Sequence, residues 1–226
     1  MRVVSLVPSV TETLRAWGLD PIAVTRFCEQ PDLPMVGGTK DPDVAAIAAL
    51  RPDLVVLDRE ENRREDADAL TAAGLHLHVT HVIALADVAP MLDALAGAVG
   101  MRPMDASLHV AAARPVTRRA FVPIWRRPWM TCNGDTYGMS ILRALGVAGC
   151  YDDAPERYPT VELDDVIARR PDLVLLPSEP YPFAERHVAE ARAMAADVRL
   201  VDGRDLFWWG VRTRDALDRL GQLLDA

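Results

Sequence analysis

Five consecutive residues, RPDLV, occur twice in this chain, at Arg51–Val55 and again at Arg170–Val174. A helical pattern leads into each copy, the proline prevents the helix from continuing, and the apolar run that follows is typical of a buried parallel strand. A second repeated segment precedes each copy: LRAWGL at Leu14–Leu19 and LRALGV at Leu142–Val147, where a helix is predicted to end on a glycine. Two repeated segments in the same order indicate that one α/β unit is duplicated.

Predicted strands alternate with predicted helices along both halves, and this alternation is typical of parallel sheets. Strands are expected at Val3–Val7, Ile22–Val24, Leu54–Leu57, Leu75–Val79, Phe121–Ile124, Leu173–Leu176 and Arg199–Val201. Between the halves, a helical stretch starts at Asp87 and is interrupted at Gly100 and Pro103. A second helical piece then runs to about Arg114, where Pro115 stops it.

We therefore predict an α/β fold of two small parallel-sheet lobes bridged by a helical backbone. The N-terminal lobe is expected at 1–84, the helical spacer at 85–117 and the C-terminal lobe at 118–226. Ligands of open parallel sheets bind outside the carboxyl ends of the strands. The sequence thus predicts a ligand cleft between the lobes, with the polar loops after both RPDLV strands facing it.

Charge and composition limit which partners and which cellular location the chain can have. The formal net charge is −8 and no run of Lys or Arg occurs, which disfavours nucleic acid and anionic membranes as partners. No stretch is apolar enough for a membrane span. The three cysteines form no CxxC pattern, and the sequence as written opens with no export signal. These features predict a cytoplasmic protein, or a periplasmic or surface-anchored one if a leader has been removed.

Four segments resemble the substrate-binding proteins of ABC importers for vitamin B12 and ferric siderophores: RVVSLVPSVTETLRAWGL, VGGTKDPDVAAIAALRPDLVVLD, DTYGMSILRALGV and YPTVELDDVIARRPDLVLLPSEP. They occur in the order of that family and are spread along the chain from Arg2 to Pro180. The resemblance implies two α/β lobes joined by a backbone helix and non-catalytic binding of cobalamin or a ferric chelate. It also implies delivery to an ABC permease whose arginine pockets receive a glutamate from each lobe. A cytoplasmic protein partner is the alternative.

Aromatic residues are concentrated in the second half, where all but Trp17 and Phe27 lie between Phe121 and Trp209. Aromatic side chains suit large, partly apolar ligands, because they bury much area at little cost in rotamer freedom. Several of them follow predicted strands; membership of the second lobe's core is the alternative for each. The aromatic candidates for ligand contact are Trp125, Trp129, Tyr137, Tyr181, Phe183, Trp208 and Trp209.

Polar candidates lie in the loops after the repeated strands and near the C-terminus. Glu60, Glu61 and Glu179 could face a ligand, dock on a partner or remain solvated. Arg212 could clamp an anionic group of a ligand, or pair with a local carboxylate.

Metal and catalytic signals are weaker. Cys28, Cys132 and His81 are candidate ligands for a soft or borderline metal, although their spacing matches no known metal motif. No GxSxG, HExxH, Walker or GxGxxG motif occurs, which favours binding over catalysis. Two alternatives stay open: a cytoplasmic carrier or sensor of a metal chelate, and an enzyme that reuses the cleft with a bound metal.

Overall fold

The computed structural model describes residues 1–102 and 114–226, which fall into two compact units. Residues 1–82, 86–102 and 209–211 form the first unit. Residues 83–85, 114–208 and 212–226 form the second. The predicted helical piece between Pro103 and Arg114 lies outside the described residues, and the lobe boundaries at 84/85 and 117/118 stay predictions.

The first unit is built on a parallel sheet with the strand order β2-β1-β3-β4. Its core joins strand residues such as Val4 and Val55 to helix residues such as Ile47 and Leu70. Its elements are β1 (Val3–Ser5), α1 (Pro8–Ala16), β2 (Ala23–Val24), α2 (Val44–Leu50), β3 (Leu54–Asp58), α3 (Arg64–Ala72), β4 (Leu77–Thr80) and α4 (Val88–Ala98).

The second unit contains a four-stranded parallel sheet, β11-β10-β5-β8, and a small antiparallel sheet, β6-β7-β9. Its elements are β5 (Arg118–Phe121), β6 (Pro123–Trp125), β7 (Trp129–Thr131), α5 (Tyr137–Ala144), β8 (Val147–Gly149), β9 (Thr160–Val161), α6 (Leu163–Ala168), β10 (Leu173–Pro177), α7 (Glu185–Ala191), β11 (Asp197–Val201), α8 (Gly203–Phe207) and α9 (Thr213–Asp225).

The predicted duplication is confirmed by strand order. Matching β1, β2, β3 and β4 with β5, β8, β10 and β11 gives the same arrangement in both parallel sheets. The repeated RPDLV strands, β3 and β10, each consist of five buried residues and pair with the first strand of their unit.

The aspartate of each RPDLV copy makes the same pair of hydrogen bonds to the first strand of its sheet. The backbone N–H of Arg2 donates to Asp53 Oδ2 at 2.6 Å, and the Asp53 N–H donates back to the Arg2 carbonyl at 2.8 Å. In the second unit, Arg119 and Asp172 make the same two bonds at the same distances. The aspartate therefore fixes the start of the repeated strand against the first strand of its sheet.

The arginine of each copy ends the preceding helix. Arg51 and Arg170 both adopt left-handed backbone conformations, with φ of 47° and 50°. The carbonyls of the residues just before them accept side-chain hydrogen bonds, Leu50 from Arg2 and Arg169 from Arg119. Helix end, turn and strand start are thus one hydrogen-bonded unit, made twice.

The antiparallel sheet was not predicted, and it changes one predicted strand. The run expected at Phe121–Ile124 is divided between β5, which ends at Phe121, and β6, which begins at Pro123. Pro123 pairs with Thr131 in the antiparallel sheet, and Thr131 Oγ1 donates to the Val122 carbonyl at 2.8 Å. These strands of two or three residues depend on partners elsewhere in the chain and are too short for a periodic sequence signal.

Candidate functional site

In the second unit, an exposed pair of rings lies past the carboxyl ends of the parallel strands. Trp125 ends β6 and is 44 % exposed, while Tyr181 lies on the loop between β10 and α7 and is half-buried. The two rings meet edge to face, with 5.5 Å between their centroids and 78° between their planes. This ring pair offers an apolar surface at the position where parallel sheets bind ligands.

Further aromatic rings continue from the ring pair into the core. Tyr181 contacts Phe183 with 4.7 Å between centroids, and Phe183 stacks on Trp129 at 6.0 Å. Phe183 is 5 % exposed and belongs to the same core cluster as Phe121, with Trp129 packed against that cluster. Of these residues, Trp125 is therefore exposed, Tyr181 and Trp129 are half-buried, and Phe183 is a core residue that packs against Tyr181.

Two arginine side chains lie near the ring of Trp208. The guanidinium carbons of Arg204 and Arg212 are 6.0 Å and 5.4 Å from the centre of its ring. Arg212 Nη1 also donates to Asp205 Oδ1 at 2.8 Å, and the buried Asp205 accepts from Arg219 as well. The local-carboxylate role considered for Arg212 is therefore present in the structure, and it orients the guanidinium over Trp208.

Tyr137 and Trp209 are buried. Tyr137, at the start of α5, is 6 % exposed, and its hydroxyl shares a 2.9 Å hydrogen bond with Thr213 Oγ1. Burial raises the pKa of this phenol far above its ordinary value. Trp209 belongs to a short segment of the first unit, in which the Val211 N–H donates to Thr13 Oγ1 at 3.3 Å.

Glu179 lies where β10 meets α8. The Gly203 N–H donates to Ser178 Oγ at 2.9 Å, and Gly203 approaches Glu179 so closely that a Cβ there would lie 2.7 Å from the Glu179 backbone N. Glu179 is half-buried. The loop that carries it is thus held against the first turn of α8.

In the first unit, a buried aspartate organises the loop after the RPDLV strand. Asp58 accepts from Thr80 Oγ1 at 2.7 Å and from the Glu60 N–H at 2.8 Å. Burial raises the pKa of the Asp58 carboxyl. Glu60 is half-buried, its carbonyl accepts from Lys40 Nζ at 2.6 Å, and Glu61 is exposed. The network fixes the backbone from which both glutamate side chains extend.

The weak metal candidates are dispersed. Cys28 and Cys132 are buried, and burial raises the pKa of Cys28 above its ordinary value and that of Cys132 to about 12. Burial therefore favours the protonated form of both thiols. His81 Nε2 lies 3.8 Å from Glu60 Oε1. Within residues 1–102 and 114–226, no group of three or more His, Cys, Asp or Glu side chains could hold a metal ion.

Two sets of residues near the carboxyl ends of the sheets were not predicted. Phe27, directly after β2, is 50 % exposed, and the Arg26 guanidinium lies 4.8 Å from the centre of its ring. His187 contacts the Tyr181 ring, Arg126 follows Trp125 in the chain, and Glu190 pairs with Arg126. Phe27 could have been found as an aromatic residue that follows a predicted strand. Sequence gives no signal for the other three, because their partners are distant in the chain.

The two parallel-sheet α/β units have the fold of periplasmic binding proteins whose structures are solved. The sequence resemblance to the vitamin B12 and siderophore-binding group is confirmed by comparison with known proteins. The vitamin B12-binding protein of Yersinia pestis (strain Pestoides F) is 27% identical over 195 residues, which cover 77% of this chain and 69% of that protein.

Solved structures share the fold over nearly the whole chain. The periplasmic vitamin B12 binding protein BtuF of Vibrio cholerae superposes with a TM-score of 0.79 at 20% identity, covering 99% of this chain and 96% of that one. The periplasmic heme-binding protein BhuT, in complex with two hemes, gives 0.82 at 20% identity, covering 99% and 97%. No protein-family model matches the chain. In the part of the chain that the structure describes, every helix is too short or too polar to cross a membrane.

Proposed function

We propose that this chain is a non-catalytic binding protein for a bulky metal-containing ligand, such as cobalamin or a related macrocyclic or ferric chelate. The observation that carries the proposal is the Trp125–Tyr181 ring pair past the strand ends of a fold shared with vitamin B12- and heme-binding proteins. A ligand of this kind presents a large apolar face, which exposed aromatic rings contact well.

The polar candidates complete the proposal. Arg212, oriented by Asp205 over Trp208, supplies a cationic group for amide or carboxylate substituents of the ligand. Glu179, on the loop held against α8, is a second polar anchor. Glu60 and Glu61 extend from the fixed loop after β3, and we assign one of them as the glutamate with which the first unit docks on an ABC permease. Uptake across a membrane is consistent with the periplasmic location of the structural neighbours.

A titration of the purified protein followed by tryptophan fluorescence tests the proposed function. Cyanocobalamin, haem and a ferric siderophore are added separately, and isothermal calorimetry confirms any saturable response. Each metal-free counterpart, such as protoporphyrin IX for haem, serves as a control for inner-filter effects and for nonspecific apolar binding. One-site saturable binding of one metal-containing ligand supports the proposal. Absence of binding to all three, by a protein whose circular dichroism shows it folded, contradicts it.

A further inference from the structure

The two rings of the exposed pair come from separate parts of the second unit. Trp125 lies at the end of β6, in a hairpin with β7, whereas Tyr181 lies on the loop between β10 and α7. Their contact is ring to ring, and neither ring is fully buried. The Arg126 side chain, next to Trp125, also interacts with the Tyr181 side chain, and α7 contacts both parts as well.

The C-terminal half of α7 holds the hairpin. Glu190 Oε2 accepts from Arg126 Nε at 2.7 Å, and the two side chains are 35% and 18% exposed. Arg126 directly follows Trp125, so this ion pair fixes the backbone next to the indole. A short, charge-assisted bond between partly buried groups has a narrower geometry than a solvated surface pair.

The N-terminal half of α7 holds the aromatic loop. His187 Nδ1 accepts from the Ala184 N–H at 3.0 Å. The imidazole also meets Tyr181 and Phe183 edge to face, with 5.6 Å and 5.4 Å between ring centroids. His187 is 5 % exposed, so its ring is a packed support under the loop.

His187 and Glu190 are three residues apart and share one face of α7. We infer that α7 is the positioning element of the ligand site: through Glu190–Arg126 and His187 it preorganises Trp125 and Tyr181 as one apolar contact surface. This inference rests on the proposed function. Preorganisation raises affinity because the binding energy is not spent on ordering the contact surface.

Substitutions of the ion pair test the inference through ligand affinity. The probe is cyanocobalamin or haem, whichever the wild-type protein binds. Arg126→Met and Glu190→Met should each weaken binding about tenfold, and the double variant should be no weaker than either single one. Arg126→Lys should retain most of the affinity, because it keeps the ion pair.

The matched control is Arg118→Met. Arg118 pairs with Asp197 at 2.6 Å in the same unit, with 28% and 32% exposure, at the start of β5 and far along the strands from the ring pair. Arg118→Met should lower thermal stability about as much as Arg126→Met does and should leave ligand affinity unchanged. An equal loss of affinity in this control would overturn the positioning role, since general destabilisation would then explain the effect.

A ligand-free measurement separates this inference from the proposed function. In protein labelled with 5-fluorotryptophan, the ¹⁹F resonance of Trp125 is assigned from Trp125→Phe. Arg126→Met and Glu190→Met should shift or broaden this resonance and leave that of the buried Trp17 unchanged. An unaltered Trp125 resonance overturns the positioning role whether or not a ligand binds. A shifted resonance with unchanged affinity overturns it as well. A shifted resonance in a protein that binds none of the probes supports positioning by α7 and rejects the proposed function.

Discussion

The indole of Trp125 meets the phenol ring of Tyr181 edge to face, at 5.5 Å and 78°. In this arrangement the edge of one ring points toward the face of the other, and Trp125 stays 44 % exposed. An exposed aromatic residue held in this way is more consistent with a contact surface than with a solvated side chain.

Replacing Trp125 tests this contact surface directly. Trp125→Ala should weaken binding of the probe ligand about tenfold or more, because the aromatic contact with the ligand is lost, and it should leave the fold intact. Calorimetric titration measures the affinity, and far-UV circular dichroism measures the fold. The matched control is Ile167→Ala, which removes an equally exposed side chain, at 40 % exposure, from α6. Equal affinity of Trp125→Ala and wild type would contradict this location of the site.

Tyr137 is a sequence-predicted site residue whose hydroxyl is used inside the protein. Tyr137→Phe should lower the free energy of unfolding by about 1 kcal/mol, since the bond to Thr213 is lost. Ligand affinity should not change, because the hydroxyl is buried. Denaturant unfolding and calorimetric titration measure the two effects. A Tyr137→Phe variant with normal stability and weakened binding would place this hydroxyl in the ligand site.

Gly203 is required where α8 approaches the loop that carries Glu179. A Cβ at this position would lie 2.5 Å from Glu179 Cγ and 2.7 Å from the Glu179 backbone, so Gly203→Ala should destabilise the protein by about 1–3 kcal/mol. Gly97→Ala is the control: this glycine lies in α4 with open space at its Cβ, and alanine there should stabilise by about 0.5–1 kcal/mol. Chemical denaturation measures both values, and a Gly203→Ala variant as stable as the wild type would contradict the close approach.

The buried position of His187 predicts that the stability of the protein depends on pH. Burial lowers the pKa of His187, and Arg186 and Arg126 act in the same direction, whereas Glu190 acts against them. The unfolded chain therefore binds this proton more readily than the folded one. Above the ordinary histidine pKa of the unfolded chain, neutral His187 makes its full contribution to the free energy of unfolding. This contribution is lost as the pH falls from that value toward the lower pKa of His187 in the folded protein.

Unfolding free energies measured across roughly pH 7.5 to 5 check this sign. His187→Asn is the reference, because its amide oxygen can accept from the Ala184 N–H and does not titrate. The wild type should lose more stability on acidification than this variant. Parallel pH profiles of the two proteins would show that His187 does not titrate differently on folding.

Much of the fold could be predicted from the sequence because the repeated unit is local. The positions of the RPDLV strands and the glycine ends of the first helix of each half follow from contiguous residues, and Gly18 and Gly146 both have the expected positive φ, at 81° and 86°. The site was predicted in part. Loop position after a strand pointed to Trp125 and Tyr181, and it equally pointed to Phe183, whose side chain is in the core.

By itself, the sequence determined that the chain builds one α/β unit twice, since helix end, turn and strand start are specified within a few residues by proline, aspartate and a left-handed arginine. The tertiary structure alone decided which aromatic rings are exposed and what holds them. Exposure of Trp125 and burial of Phe183 depend on the antiparallel sheet, on α7 and on the pairing of Arg126 with Glu190, 64 residues away along the chain. Contacts over such separations are set by packing of the folded chain, and no local pattern encodes them.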